Sequence, residues 1–90
     1  MDDYKQDKLI AEFCGFTGDF VPPSYSSNLN TIHFAEMSLS DMPPAPDKKS
    51  DRTRYRENLC VVSLMAGGPI HATANLRAEA FLKTIGKWEQ

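Results

Sequence analysis

The sequence predicts a mainly α-helical fold, a compact bundle of about four short helices crossed by an extended proline-rich strap. Two features predict it. Four segments repeat apolar residues at the spacing of an amphipathic helix. Prolines and glycines separate these segments, and both residue types end helices. The alternative is an α+β fold with a small sheet, because one of the four segments also suits a strand.

The 90 residues are expected to form one domain, residues 1–90, since neither half alone could bury a core. Apolar residues make up 41% of the chain and charged residues 24%, which is typical of globular proteins. The longest uncharged apolar stretch, Leu59–Met65, is too short to span a membrane. No apolar run follows the N-terminal MDDYKQDK, so we expect no secretory signal.

The first predicted helix covers residues 3 to 14. Asp2 or Asp3 can cap its start, apolar residues recur four positions apart along it, and Gly15 stops it. An extended strap is expected to follow, because Pro22-Pro23 fix their own φ and restrict the residue before them. The strap carries apolar side chains that favour contact with the core, namely Phe16, Phe20, Val21 and Tyr25.

Ser26 and Ser27 are the candidate N-caps of a second helix, which ends before the prolines of DMPPAPDKKS. Its inward stripe is predicted from helical spacing and consists of Leu29, Ile32, Leu39 and either Ala35 or Glu36. Phe34 and Met37 flank this stripe.

Ser50 or Asp51 can cap a third helix, SDRTRYRENLCVVSLMA, which ends at the glycines that follow it. The inward side is predicted to consist of Tyr55, Leu59, Val62 and Ala66, widened by Cys60, Val61 and Met65. A strand over Leu59–Leu64 is the alternative, because β-branched residues occur there. The length of the apolar pattern favours the helix.

The last helix has the clearest pattern, in HATANLRAEAFLKTIGKW. Thr73 caps it, Gly86 suits a left-handed C-terminal cap, and Trp88 can fold back onto the helix end. Glu79 and Lys83 form an i, i+4 pair in the favourable order. Its apolar stripe consists of Ala74, Ala78, Phe81, Leu82 and Ile85.

The charges are unevenly distributed. Residues 1–47 carry eight acidic and two basic side chains, whereas residues 48–90 carry four acidic and eight basic ones. Five of the bases lie between Lys48 and Arg56. Arginines in the first turn of a helix oppose its dipole, which favours a role other than helix stability. We predict a partner-binding surface made of Arg52, Arg54, Tyr55 and Arg56. The alternative is that this basic cluster is solvated or packs on the acidic half of the chain.

Several other classes of site are disfavoured. The net charge of −2 argues against nucleic acid as the main partner. His33, His71, Cys14 and Cys60 match no zinc spacing, so neither a metal nor a cofactor is expected. The cysteines are expected to be reduced thiols, with a Cys14–Cys60 disulfide as the less favoured alternative. No paired acid–base signature is visible, so we expect no enzyme.

Two stretches of the chain carry a family resemblance. HATANLRAEAFLKTIGKWEQ closely resembles the C-terminal pattern HATAxxRAEAFLxTxGxW of small tailed-phage proteins of the α/β/α-sandwich-type group. PPSYSSNLNTIHFAEMSL is similar to their P-x-Y-[ST]-x-[DN]-L-N-x-[MI]-H-x-AE segment. The likeness covers somewhat under half of the chain. This sequence has only a very short loop between the first helix and Pro22, where relatives often carry a longer segment with strands. That difference favours a mostly helical domain here.

The resemblance implies a phage accessory protein that acts in the cytoplasm of its bacterial host and brings no catalytic residues. We therefore expect a non-enzymatic protein that binds and modulates a host bacterial protein, with inhibition of a host defence system as the most specific form of this role. The strap is the second candidate surface. The alternative is an oligomeric protein that sequesters a nucleotide signal, with His71, Arg77 and Trp88 or the arginines of the cluster contacting the ligand.

Overall fold

Four α-helices form in the order that the apolar pattern predicts. The computed structural model describes residues 2–18, 20–43, 45–68 and 72–88. The helices are α1 (Asp3–Phe13), α2 (Leu29–Glu36), α3 (Asp51–Val62) and α4 (Ala74–Ile85), with a short 3-10 helix (Leu64–Ala66) after α3. None of the described residues lies in a strand, so the mainly α-helical prediction is confirmed and the small sheet is not supported. No described helix is long and apolar enough to cross a membrane.

Helix α4 lies at the centre of the fold, because α1, α2 and α3 all pack against it. Its ends are as predicted: the Thr73 hydroxyl accepts from the Leu76 N–H at 3.2 Å, and Gly86 closes the helix with a φ of 77°. A left-handed φ favours glycine there. Lys83 Nζ lies 2.9 Å from Glu79 Oε2 and 6.0 Å from the centroid of the Trp88 ring, so Trp88 does fold back onto the helix end.

The core is built around Phe81 of α4. Its ring meets the Phe13 ring edge-on, with centroids 5.4 Å apart, and the Tyr55 ring at 6.1 Å. These contacts join α1 and α3 to the central helix. The other large core side chains come from all four helices and the turns beside them, namely Ile10, Tyr25, Ile32, Leu39, Leu59 and Leu82.

The start of α2 differs from the prediction. Asn28, and not Ser26 or Ser27, is the N-cap, and its side chain accepts from the Thr31 N–H at 3.2 Å. Ser26 is buried, and its N–H donates to Asp7 Oδ1 at 2.7 Å. This bond to α1 holds residues 25–27 in a turn, which moves the helix start towards the C-terminus. Leu29 consequently lies in the first, exposed turn rather than in the inward stripe.

The end of α3 also differs. The helix stops at Val62, four residues before the predicted end, and Gly67 and Gly68 close the 3-10 turn with φ of 98° and 99°. The strand alternative for Leu59–Leu64 is excluded. Because α3 packs mainly on α4, it buries a narrow stripe. Four residues predicted on its inward side are exposed, namely Cys60, Val61, Met65 and Ala66.

The strap from Phe16 to Tyr25 contains no strand in its described residues. Tyr25 is buried in the core and Phe20 packs against it, as expected. Val21 is exposed, because the extended backbone turns alternate side chains to opposite sides. The strap therefore contributes to the core at its end and leaves part of its apolar surface in solvent.

Asp7 offers a test of this arrangement. Burial raises the pKa of its carboxyl group, so the folded protein binds that proton more tightly than the unfolded chain, and ionisation at neutral pH lowers stability. Asp7→Asn keeps an oxygen that can accept from the Ser26 N–H. It should be at least as stable as the parent protein at pH 7 by urea denaturation. Its advantage should disappear below the ordinary pKa of aspartate, near pH 4.

Asp7→Ala is the matched comparison, because it leaves the buried Ser26 N–H without its acceptor. We expect it to be less stable than Asp7→Asn by about 1–3 kcal/mol. Equal stability of the two variants at pH 7 would mean that the Asp7–Ser26 bond does not hold the turn.

Candidate functional site

The main candidate site is a groove between α2 and α3. It exists because each of these helices packs against α4 and they contact each other little. Its volume is about 670 Å³, within the range typical of ligand sites. Its lining comes from α2, α3 and α4 and consists of His33, Glu36, Met37, Arg52, Tyr55, Arg56, Leu59, Cys60 and Arg77.

Glu36 organises the floor of this groove. Its Oε2 atom accepts from the Tyr55 hydroxyl at 2.5 Å and from Arg77 Nη1 at 3.0 Å. Its Oε1 atom lies 2.5 Å from His33 Nδ1. One carboxylate thus connects α2, α3 and α4. We call Glu36, Tyr55 and Arg77 the floor triad.

The floor triad is largely shielded from solvent. The side chains of Glu36 and Arg77 are 17% and 16% exposed, and Tyr55 is buried. Arg77 also donates from Nε to the Ala72 carbonyl at 3.3 Å, which orients the guanidinium towards α2. A shielded ion pair needs such additional bonds to offset its desolvation.

Tyr55 acts as a hydrogen-bond donor in the floor triad. Burial and its bond to Glu36 raise the pKa of the Tyr55 hydroxyl, so this group keeps its proton throughout the neutral range. The neighbouring Arg77 works in the opposite direction with a smaller effect. Tyr55 is therefore suited to holding Glu36 in place while its ring packs against Phe81 in the core.

The basic rim of the groove comes from α3. Arg52 donates from Nη2 to the Leu39 carbonyl at 3.1 Å and from Nη1 to Asp41 at 3.0 Å. Part of the basic cluster therefore packs on the acidic half of the chain, as predicted by the alternative to a partner-binding surface. Arg56 is exposed, and its side chain makes no hydrogen bond or ion pair with the described part of the chain.

Helical geometry separates the predicted surface into two groups. Arg52, Tyr55 and Arg56 lie at i, i+3 and i+4, so they share one face of α3 and line the groove. Arg54 lies on another face and pairs with Asp51 at 3.5 Å. Three of the four predicted partner-binding residues therefore lie together in the groove, and Arg54 lies outside it.

The alternative ligand set is not brought together. Arg77 lines the groove, where it joins the arginines of the first set. Trp88 lies beside Lys83 at the end of α4 and does not line the groove. His71 lies outside the described residues, so its position is not part of this comparison.

Sequence reasoning missed Glu36 as a site residue. The apolar spacing predicts only that Glu36 or Ala35 falls on the inward stripe of α2. A carboxylate on an apolar stripe is itself a signal, because a buried charge needs a partner. Its partners on α3 and α4 lie 19 and 41 residues away along the chain, and only its pairing with His33, three residues away, is local.

A second, smaller cavity of about 380 Å³ lies beside the strap. It is lined by Cys14, Phe16, Pro23, Tyr25, Thr31, Phe34 and Ser38. Burial, together with Cys14, raises the pKa of the Tyr25 hydroxyl to about 12. Cys14 and Cys60 are free thiols in different cavities. Among the described residues no group of histidine, cysteine or acidic side chains could hold a metal ion.

Comparison with known proteins adds no relative. No family model, no curated protein and no solved structure matches the chain. The resemblance to tailed-phage proteins therefore stays a prediction, and the candidate site rests on its geometry.

Proposed function

We propose that this protein binds the acidic surface of a partner protein through the groove between α2 and α3. The observation that carries the proposal is the position of Arg56, an exposed arginine whose side chain has no partner among the described residues. It lines the same groove as the exposed side chain of Met37. Arginine is favoured at protein interfaces. Arg52 and the ring of Tyr55 adjoin it.

The floor of the groove also supports a binding role. Glu36 accepts from Tyr55 and from Arg77, so the polar groups of the floor have internal partners. An occupant can cover them with apolar side chains without having to supply every hydrogen bond itself. Met37 is 73% exposed and offers apolar surface for this contact, whereas Leu59 and Tyr55 line the groove but are nearly buried and add little.

The origin proposed for the protein follows from its resemblance to small tailed-phage proteins. On that basis it is a non-enzymatic phage accessory protein, its partner is a protein of the bacterial host, and it acts in the host cytoplasm. We propose that binding inhibits this partner, with a host defence system as the most specific target.

Charge reversal at Arg56 tests the proposal. Arg56→Glu should weaken partner binding by on the order of tenfold or more, because it places a negative charge where an acidic partner surface is expected. The measurement is quantitative mass spectrometry of proteins captured from a bacterial lysate by the parent and variant chains.

Arg54→Glu is the matched control, because Arg54 lies two positions away on the same helix and pairs with Asp51 outside the groove. It should capture the same partner as the parent protein. Both variants should keep the parent melting temperature within about one or two degrees, as surface changes normally do. Arg52 is less suitable, since it also bonds to Leu39 and Asp41. Equal capture by Arg56→Glu and Arg54→Glu would contradict the proposal.

We propose sequestration of a small nucleotide signal as a second candidate function, because Arg77 joins Arg52 and Arg56 in a groove of about 670 Å³. Arginines bind phosphates well. The negative charge of Glu36 counts against it, since a phosphate would have to compete for Arg77. Melting temperatures measured with a panel of linear and cyclic nucleotides separate the candidates. An increase of several degrees favours sequestration, and no change across the panel eliminates it.

A further inference from the structure

The two walls of the groove are helices, and this restricts what can occupy it. The backbone groups of α2 and α3 bond within their own helices or, at Arg52 in the first turn of α3, to the Ser40 carbonyl. No described residue forms a sheet edge. An extended peptide needs partners for its N–H and C=O groups when it is buried. A helix satisfies these groups internally. The walls of the groove therefore favour a helical occupant over an extended one.

The arrangement of the neighbouring helices agrees with this. Helices α2 and α3 both pack on α4 and contact each other little, while the Tyr55 hydroxyl bonds to Glu36 across the floor. A further helix could therefore lie over the groove, above the floor triad. Helices are commonly recognised in this way, with an apolar stripe directed into a groove. From Arg52 to Cys60 the α3 wall extends about 12 Å, or about two helical turns.

The side chains along the two walls indicate which side chains a bound helix would need on each of its faces. The α2 wall offers Met37, which is 73% exposed, and His33. The α3 wall is basic at Arg52 and Arg56 and becomes apolar at Cys60. An apolar stripe with acidic side chains on the flank next to Arg52 and Arg56 complements these walls.

We infer that the segment of the partner that enters the groove is an amphipathic α-helix with acidic residues along the flank facing α3. This inference rests on the proposed function and adds the conformation and pattern of the partner. The apolar stripe contacts Met37 and the small part of Leu59 that lines the groove. The acidic flank pairs with Arg56 and competes with Asp41 for Arg52.

Four synthetic peptides test the inference with the full-length protein. The first, of about 15 residues so that a helix can form on binding, carries leucines at i, i+3, i+4 and i+7 and glutamates on one flank. The second has the same composition in scrambled order, the third has a central proline, and the fourth has lysines in place of the glutamates. Binding is measured by fluorescence anisotropy and helix formation by circular dichroism.

The first peptide should bind at least about tenfold more tightly than each of the other three, which is a difference of about 1.4 kcal/mol, and should become helical on binding. Met37→Glu should weaken its binding by a similar factor. Met42→Glu is the matched control, because Met42 is 77% exposed and does not line the groove.

Each other result overturns the inference in a recognisable way. Equal binding of the scrambled or proline peptide rejects the helix but leaves an acidic partner intact. Equal binding of the lysine peptide rejects the charge pattern, and the proposed function with it. Failure of all four peptides to bind rejects the inference, and lysate capture that still depends on Arg56 would then preserve the proposed function alone.

Discussion

Replacing Phe81 by alanine is expected to lower the free energy of unfolding by about 3–5 kcal/mol, the usual cost of removing a buried aromatic side chain. Phe81 is completely buried, and its ring contacts both Phe13 and Tyr55. The substitution therefore leaves a cavity at the point where α1 and α3 meet α4. Small domains have a total stability of about 5–15 kcal/mol, so a large part of it would be lost.

Phe34→Ala provides the matched control for this experiment, because it removes the same ring from a position that is 73% exposed. Its effect should stay within about 0.5 kcal/mol. Urea denaturation followed by circular dichroism measures both variants. Similar losses for the two would show that Phe81 is not the centre of the core, and a stable Phe81→Ala protein would require the helices to collapse around the vacant space.

The central helix was predictable because every local signal in it agrees. Thr73, the apolar stripe around Phe81, the Glu79–Lys83 pair and Gly86 all favour the same helix. Tertiary contacts change none of its boundaries. In α2 a tertiary contact does change the boundary. The bond from the Ser26 N–H to Asp7 joins residues 19 positions apart, and no local pattern in the sequence indicates it. The predicted cap was wrong for that reason.

Side-chain exposure along α3 was less predictable for a different reason. A helix pattern gives the apolar face but not how much of it neighbouring helices cover. In this fold α4 covers one narrow stripe, so Val61 and Met65 remain exposed. The same geometry separates Arg56 from Arg54. The sequence predicted a basic surface on α3, but only the rotation of the helix relative to α4 determines which arginines line the groove.

The floor triad gives the second large prediction, because its members hold three helices together across the groove. Glu36→Ala removes the acceptor of the Tyr55 hydroxyl and the charge partner of Arg77. A largely shielded guanidinium without its carboxylate is costly, and we expect the free energy of unfolding to fall by about 3 kcal/mol. Glu36→Gln should cost less, since its amide oxygen can still accept a hydrogen bond.

Glu57→Ala is the control for Glu36→Ala, since it removes the same side chain from an exposed pair with Lys49, and its cost should be about 0–1 kcal/mol. The double variant Glu36→Leu/Arg77→Met should recover part of the stability lost by Glu36→Ala, because it removes both charges and leaves apolar groups in their place. The Tyr55 hydroxyl still lacks its acceptor in this variant, so the recovery should be incomplete. Equal stability of Glu36→Ala and Glu57→Ala would contradict a structural role for the triad. If the double variant recovers stability, the ion pair is not required for folding, and its role is then to fix how Tyr55 and α2 frame the groove.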